Sequence, residues 1–181
     1  DTNGSASQTP CSPGTWNNMT GQVACTNASV GHYVGTNGST SQTPCSVGTW
    51  NNMTGQSSCT NASEGHYVDV NGSTAQTPCD AGTYNSNSSS NSSTDCLTTP
   101  AGNYSGAGAA SPIQCSPGTW QNQTGMTVCN VTEPGFHSPN AGAKEPIPCL
   151  TGTFQSKFRG FECESSAPGF YVSQNGMSGA T

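Results

Sequence analysis

The chain has 181 residues and a net charge of −6, with 30% hydrophobic and 7% charged residues. Ser and Thr together account for 50 positions while Leu and Ile are few, so the chain cannot fill a large hydrophobic core. Its three basic residues, Lys144, Lys157 and Arg159, lie near the C-terminal end, and this excludes the basic face that a nucleic-acid partner requires. No run of 18 apolar residues occurs, so we expect no membrane insertion.

Cysteine replaces the missing core. There are ten cysteines, an even number, and no two lie closer than 14 positions. Zinc sites need Cys-x-x-Cys or Cys/His clusters, so we expect neither a metal nor another cofactor. A disulfide framework persists only in an oxidising compartment, and this predicts an extracellular or cell-surface location. The chain begins with Asp and no apolar leader, as expected of a mature secreted product or of a window cut from a longer one.

The first predicted element, Cys11-Ser-Pro-Gly-Thr-Trp16, recurs along the chain with a period of 34 residues. Later copies begin at Cys45, Cys79, Cys115 and Cys149. The predicted repeats are residues 1–34, 35–68, 69–105, 106–139 and 140–172, followed by a tail or the start of a further repeat at 173–181. Repeat three carries extra residues within 85–95, where an exposed loop would tolerate them.

Each repeat contains two half-repeats of about 17 residues, defined by a glycine followed two positions later by an aromatic residue or His. Odd half-repeats carry a cysteine pair. The even ones lack it. A second cysteine pair would fall at Ala28 and Gln42 in repeat one, and at Ala62 and Gln76 in repeat two.

Secondary structure is expected to be sparse. Thr15–Trp16 and residues 32–34 are predicted as short strand pieces, bounded by turns such as Asn3-Gly4, Asn37-Gly38 and Asn71-Gly72. No apolar stripe of helical period is present, so almost no helix is expected. The predicted fold class is small, disulfide-rich and mostly coil, with short β-hairpins in an elongated tandem-repeat rod that makes nearest-neighbour contacts.

The order Cys-x-x-Gly-Thr-aromatic, a loop, a cysteine and a second Gly-x-aromatic resembles cysteine-rich repeats of the ephrin-receptor-like type. The first loop is also similar to the simplest one-disulfide module of TNF-receptor ectodomains. The resemblance covers essentially the whole chain, with one cysteine pair per 34 residues instead of the usual two. It implies small extracellular modules held by disulfides.

We predict that consecutive cysteines pair, as Cys11–Cys25, Cys45–Cys59, Cys79–Cys96, Cys115–Cys129 and Cys149–Cys163. A pairing shifted by one would strand the first and last cysteines, unless the chain continues. Consecutive pairing also keeps each bridge within its motif and places the extra residues of repeat three inside one loop. Each such loop contributes about 3 kcal/mol in the chain-entropy model.

Sequons for N-glycosylation are more frequent than chance predicts. There are twelve, at Asn3, Asn18, Asn27, Asn37, Asn52, Asn61, Asn71, Asn87, Asn91, Asn103, Asn122 and Asn130. Asn27, Asn61 and Asn130 are predicted to be copies of one acceptor that keeps its sequon while the middle residue varies. The predicted partners therefore include covalent N-glycans. Ser/Thr-rich runs such as 88–94 could carry O-glycans. Repeat five has no sequon and holds all three Lys and Arg residues, so it is the predicted contact face. Its unrepeated Lys157, Phe158, Arg159 and Phe161 come closest to the exposed cluster expected of a binding module.

No catalytic constellation is visible. His32, His66 and His137 follow the repeat, and a catalytic histidine would be unique. Repetition likewise favours the aromatic residues as structural lids of the loops over sugar- or ligand-binding platforms. No nucleophile–base set, phosphate loop or carboxylate pair occurs, so we predict that the protein is not an enzyme.

These features predict a structural extracellular glycoprotein, a repeat subunit of a fibre, hair or coat. Its main partner would be a further copy of itself, joined head to tail or laterally. The alternative is the ectodomain of a receptor or adhesin that binds a protein or glycan.

Overall fold

The computed structural model describes residues 8–181, so the Asn3 sequon and the Asn3-Gly4 turn lie outside the described part. The chain forms two compact units. Unit 1 comprises the residues up to Pro78 together with Asn87–Asp95, and unit 2 comprises Cys79–Ser86 and Cys96–Thr181.

Unit 1 contains four hairpins, each made of two antiparallel two-residue strands, among the described residues. They are β1 Thr15–Trp16 with β2 Thr26–Asn27, β3 His32–Tyr33 with β4 Thr43–Pro44, β5 Thr49–Trp50 with β6 Thr60–Asn61, and β7 His66–Tyr67 with β8 Thr77–Pro78. The first strand of each hairpin contains the aromatic residue or His of a Gly-x-aromatic segment. The second strand lies a few residues before the next such segment.

Unit 2 contains five hairpins of the same kind. They are β9 Thr83–Tyr84 with β10 Leu97–Thr98, β11 Asn103–Tyr104 with β12 Ile113–Gln114, β13 Thr119–Trp120 with β14 Asn130–Val131, β15 Phe136–His137 with β16 Ile147–Pro148, and β17 Thr153–Phe154 with β18 Glu164–Ser165. Over residues 8–181 the only helix is a single 3₁₀ turn, Ser93–Asp95. The predicted fold class, short hairpins in tandem with almost no helix, is confirmed for this part of the chain.

Within each unit, glycines of the Gly-x-aromatic segments form junctions between half-repeats. The N–H of Gly14 donates a hydrogen bond to the carbonyl of Val34 at 2.7 Å, and its own carbonyl accepts one from the N–H of Ala28 at 2.8 Å. The φ angle of Gly14 is +86°, in the left-handed region that favours glycine. In unit 2, Gly118 repeats the arrangement with Ser138 and Thr132. Neighbouring half-repeats within a unit are therefore joined directly through their backbones.

Two positions per half-repeat form the thin core. The first is the residue after the aromatic, which is buried at Val34, Asn51, Val68, Asn85, Ser105, Gln121, Ser138, Gln155 and Val172. The second is the first-cysteine position, where Ala or Thr alternates with cysteine; its buried residues are Cys11, Ala28, Cys45, Ala62, Cys79, Thr99, Cys115, Thr132 and Cys149. Each series places a buried side chain in nine of the ten half-repeats, the exceptions being the half-buried Asn17 and Ser166. This is how a chain with so few large apolar residues excludes water from its interior.

The two buried glutamines at the first of these positions bind the backbone of their own loop. The Gln121 side chain donates to the carbonyl of Val128 at 3.1 Å and accepts from the N–H of Gln123 at 3.1 Å. Gln155 makes the same pair of bonds with Glu162 and Lys157. A satisfied buried amide stabilises its loop, whereas an unsatisfied one would cost about 1–3 kcal/mol.

The extra residues of repeat three form a small structured turn. The Asp95 carboxylate accepts hydrogen bonds from the N–H groups of Asn91 and Ser92, and the 3₁₀ turn follows. Just before it, Ser90 is buried and its carbonyl accepts from the N–H of Val68. The segment before the insertion therefore keeps the backbone contacts of the regular repeat, and only the residues after Ser90 are added.

Candidate functional site

Five disulfides close the loops of the odd half-repeats. They join Cys11–Cys25, Cys45–Cys59, Cys79–Cys96, Cys115–Cys129 and Cys149–Cys163, with Cα–Cα distances of 5.7–5.8 Å. This is the consecutive pairing, and no free cysteine remains among the described residues. Such a framework indicates an oxidising compartment. None of the described helices is of a length and apolarity that would span a bilayer.

Even half-repeats of unit 1 close their loops with a side-chain hydrogen bond. Gln42 stands where a second cysteine would fall, and its Oε1 accepts from the N–H of Ser29 at 2.7 Å. Gln76 makes the same bond to Ser63, also at 2.7 Å. The partner cysteine position is filled by buried Ala28 or Ala62. These two loops are thus closed by a hydrogen bond instead of a covalent link.

Sequon asparagines lie mostly on the surface. Of the eleven that the structure describes, ten are exposed: Asn18, Asn27, Asn37, Asn52, Asn61, Asn71, Asn87, Asn91, Asn122 and Asn130. Asn103 is half-buried and donates to the carbonyls of Pro100 and Ala101. The surface position of ten acceptors leaves room for bulky, solubilising groups.

The sequon at Asn130 is not a structural copy of those at Asn27 and Asn61. Asn27 lies opposite Thr15 in its hairpin, and Asn61 lies opposite Thr49, whereas Asn130 lies opposite Trp120. Successive side chains of a strand point to opposite faces, so a shift of one residue moves the acceptor to the aromatic face. The prediction that the three are copies of one acceptor is therefore wrong. The sequence does carry a signal of the difference, since Asn130 follows its preceding cysteine by one residue and Asn27 and Asn61 follow theirs by two.

In two sequons the Ser or Thr residue is buried. Thr132, which completes the Asn130 sequon, is fully buried, and its Oγ1 lies 2.8 Å from the Oγ of Ser138. Ser105, which completes the Asn103 sequon, is also fully buried. The hydroxyl residues of the Asn18, Asn52 and Asn122 sequons are exposed instead. The sequons therefore fall into accessible and inaccessible classes once the chain has folded.

An open groove of about 460 Å³ lies beside the Asn130 acceptor in unit 2. Its lining residues are Trp120, Asn130, Val131, Glu133, Phe136 and Pro146. Trp120 and Phe136 are half-buried, and Glu133 is exposed. The groove thus combines two aromatic rings with a carboxylate and an amide.

The predicted contact face of repeat five is exposed. Phe158 is 66% and Phe161 55% solvent-accessible, and Lys157 and Arg159 are also exposed. Arg159 has a φ of +61° at a position where most other half-repeats carry glycine. We call residues 157–161 the basic–aromatic segment.

The histidines are half-buried within the repeat pattern. The Nδ1 atoms of His32 and His66 lie 3.1 and 3.0 Å from the carbonyls of Val30 and Glu64. His137 Nδ1 lies 3.1 Å from the Sγ of Cys163.

His137 also groups with Cys149 and Cys163, the one set of potential metal ligands found among the described residues. The two sulfurs are bonded to each other, so they provide no thiolate for a metal. The chemistry of this donor set does not suit a metal ion.

Comparison with known protein families and with curated proteins finds no match to this chain.

Proposed function

We propose that this chain is a structural extracellular glycoprotein, a repeat subunit of a fibre, hair or cell-surface coat, without catalytic activity. The repeating backbone junction carries the proposal. In each unit the glycine of one half-repeat bonds to the backbone of later half-repeats, as Gly31 does with Asn51 and Cys45. A scaffold whose contacts recur from one half-repeat to the next is suited to building length.

In this arrangement short loops also make backbone hydrogen bonds to other half-repeats. Within unit 1, Gly55 donates to Ala28 and Gly72 donates to Cys45, so each loop is tied to a preceding half-repeat as well as closed on itself. Disulfides add a covalent closure that neither drying nor dilution removes. These features support a role that requires durability in an exposed place.

The surface supports the glycoprotein part of the proposal. Ten exposed sequon asparagines in the described residues would give a dense hydrophilic coat. Because only 7% of the residues are charged, glycans would add to the solubility of the chain.

We further propose that copies of the chain associate head to tail or laterally, since an open-ended contact of this kind produces filaments. The basic–aromatic segment is the candidate contact, because it is exposed and unrepeated and lies in the repeat without sequons. The same segment supports the second candidate function, a receptor or adhesin ectodomain related to the cysteine-rich repeats that the chain resembles.

Sedimentation of the purified glycosylated chain tests the choice between the two. Self-association that grows with concentration supports the structural role, and the double variant Lys157→Ala/Phe158→Ala should weaken it. A matched control is Val23→Ala, which removes an exposed apolar side chain outside the segment. A chain that stays monomeric at all concentrations and binds a protein or glycan through the segment supports the receptor role and contradicts the structural one.

A further inference from the structure

We propose that the N-glycan of Asn130 folds back onto the protein, with its innermost sugar seated in the groove between Trp120 and Phe136. The inference rests on the proposed glycoprotein function. It assigns to one sequon a binding site on the chain's own surface.

The strand register places the sugar at the groove. Asn130 and Trp120 are paired across β13 and β14, so their side chains share one face. Opposite residues in such a pair have β-carbons about 4.5–5.5 Å apart. A sugar bonded to the side-chain nitrogen of Asn130 therefore starts beside the indole ring, and no rearrangement of the hairpin is needed.

The chemistry of the groove suits a pyranose ring. Trp120 and Phe136 offer apolar faces for the C–H side of the sugar, and burying that area is favourable. Glu133 lines the same groove and can accept hydrogen bonds from hydroxyl or amide groups. The volume of about 460 Å³ falls within the range of roughly 300–1,000 Å³ that is typical of small-molecule sites.

Asn61 provides the contrasting case within the same chain. It is paired with Thr49, whereas Trp50 is paired with Thr60, so Asn61 and Trp50 lie on opposite faces of their hairpin. A glycan on Asn61 therefore leaves from the face away from the indole and serves as the matched control.

The test uses the full chain secreted by a eukaryotic host, with site occupancy measured by mass spectrometry. Glycans are then released with an amidase from the folded protein. We expect release from Asn130 to be about tenfold slower than release from Asn61, the factor that corresponds to about 1.4 kcal/mol. Denaturation should abolish the difference. Trp120→Ala should accelerate release at Asn130, whereas Trp50→Ala should leave Asn61 unchanged.

A second measurement needs no variant. The N-acetyl methyl resonance of the Asn130 sugar should be shifted upfield by the ring current of Trp120, relative to the resonance of the Asn61 sugar. Equal release rates with an unshifted resonance would overturn the inference and leave the glycoprotein proposal intact. The same holds if Asn130 is unoccupied while other sequons carry sugar. If no sequon carries sugar, the glycoprotein proposal itself fails.

Discussion

Gly135 lies directly against the carbonyl group of Gly176, a residue of a later half-repeat, and a β-carbon on Gly135 would overlap that oxygen. Gly152 occupies the same place in its own half-repeat, with a φ of +84° against +90° for Gly135, but a β-carbon there would have no neighbour within 4 Å. The two glycines share their backbone conformation and differ in the close contact.

Comparing alanine substitutions at Gly135 and Gly152 distinguishes the energetic cost of backbone strain from the cost of a collision between half-repeats. Gly152→Ala should lower the free energy of unfolding by about 1–2 kcal/mol, the cost of a left-handed conformation. Gly135→Ala adds a collision with backbone that cannot rotate away, so its total cost should exceed about 3 kcal/mol. Denaturant unfolding with the disulfides intact measures both, and equal losses would show that the contact with Gly176 is unimportant.

Arg159 should be replaceable by glycine with a gain in stability. Its φ of +61° lies where Gly125, Gly142 and Gly176 have φ values of 73–75° in their half-repeats. Relieving the strain outweighs the added freedom of the unfolded chain, so Arg159→Gly should stabilise unit 2 by about 0.5–1 kcal/mol. Lys157→Gly is the control, since Lys157 has no positive φ. It should be neutral or slightly destabilising, and a loss of stability in Arg159→Gly would contradict the explanation.

A sixth disulfide should form between positions 28 and 42. Ala28 and Gln42 stand where Cys11 and Cys25 stand in the preceding half-repeat, and the Gln42 side chain already closes the loop by bonding to Ser29. Ala28→Cys/Gln42→Cys should oxidise spontaneously and raise stability by roughly 3 kcal/mol, less about 1 kcal/mol for the lost hydrogen bond. Mass spectrometry and thermal melts with and without reductant check this. A pair of persistently free thiols would mean that even loops differ in geometry from odd ones.

Glycosylation at Asn103 and Asn130 should occur only before the chain has folded. An N-glycan acceptor needs its Ser or Thr, and Ser105 and Thr132 are fully buried after folding. Purified oligosaccharyltransferase offered the folded, unglycosylated chain should modify Asn122 and leave Asn130 unmodified, by a factor of at least about ten. The reduced and unfolded chain should accept sugar at both Asn122 and Asn130. Equal modification of the folded chain would show that the hairpin opens readily.

The sequence was sufficient for the local architecture, because each local feature carries its own signal. Cysteine spacing predicted the pairing observed, such as Cys45–Cys59. The Gly-Thr-aromatic segments predicted the strands, although Val34, assigned to a strand piece, follows β3 and is instead a buried core residue.

Contacts between half-repeats carried no such signal. The bond from Gly14 to Val34 joins backbone groups, and nothing in a side-chain pattern identifies its acceptor. The role of Gln42 was likewise hidden, because its position showed that a cysteine was absent without showing that a hydrogen bond replaces it. The alignment of the Asn130 sequon with those at Asn27 and Asn61 failed for a different reason. A shift of one residue matters little in a loop, but in a strand it moves the side chain to the opposite face. The repeat boundaries, the glycans and the assembly remain predictions.

Negative-stain electron microscopy of the chain, purified with its disulfides and glycans intact, tests the central claim most directly. A structural repeat subunit should form filaments whose number and length increase with concentration and which disperse when a thiol reductant opens the five disulfides. Isolated particles at every concentration, with no filaments, would contradict the proposed structural role and favour a binding ectodomain.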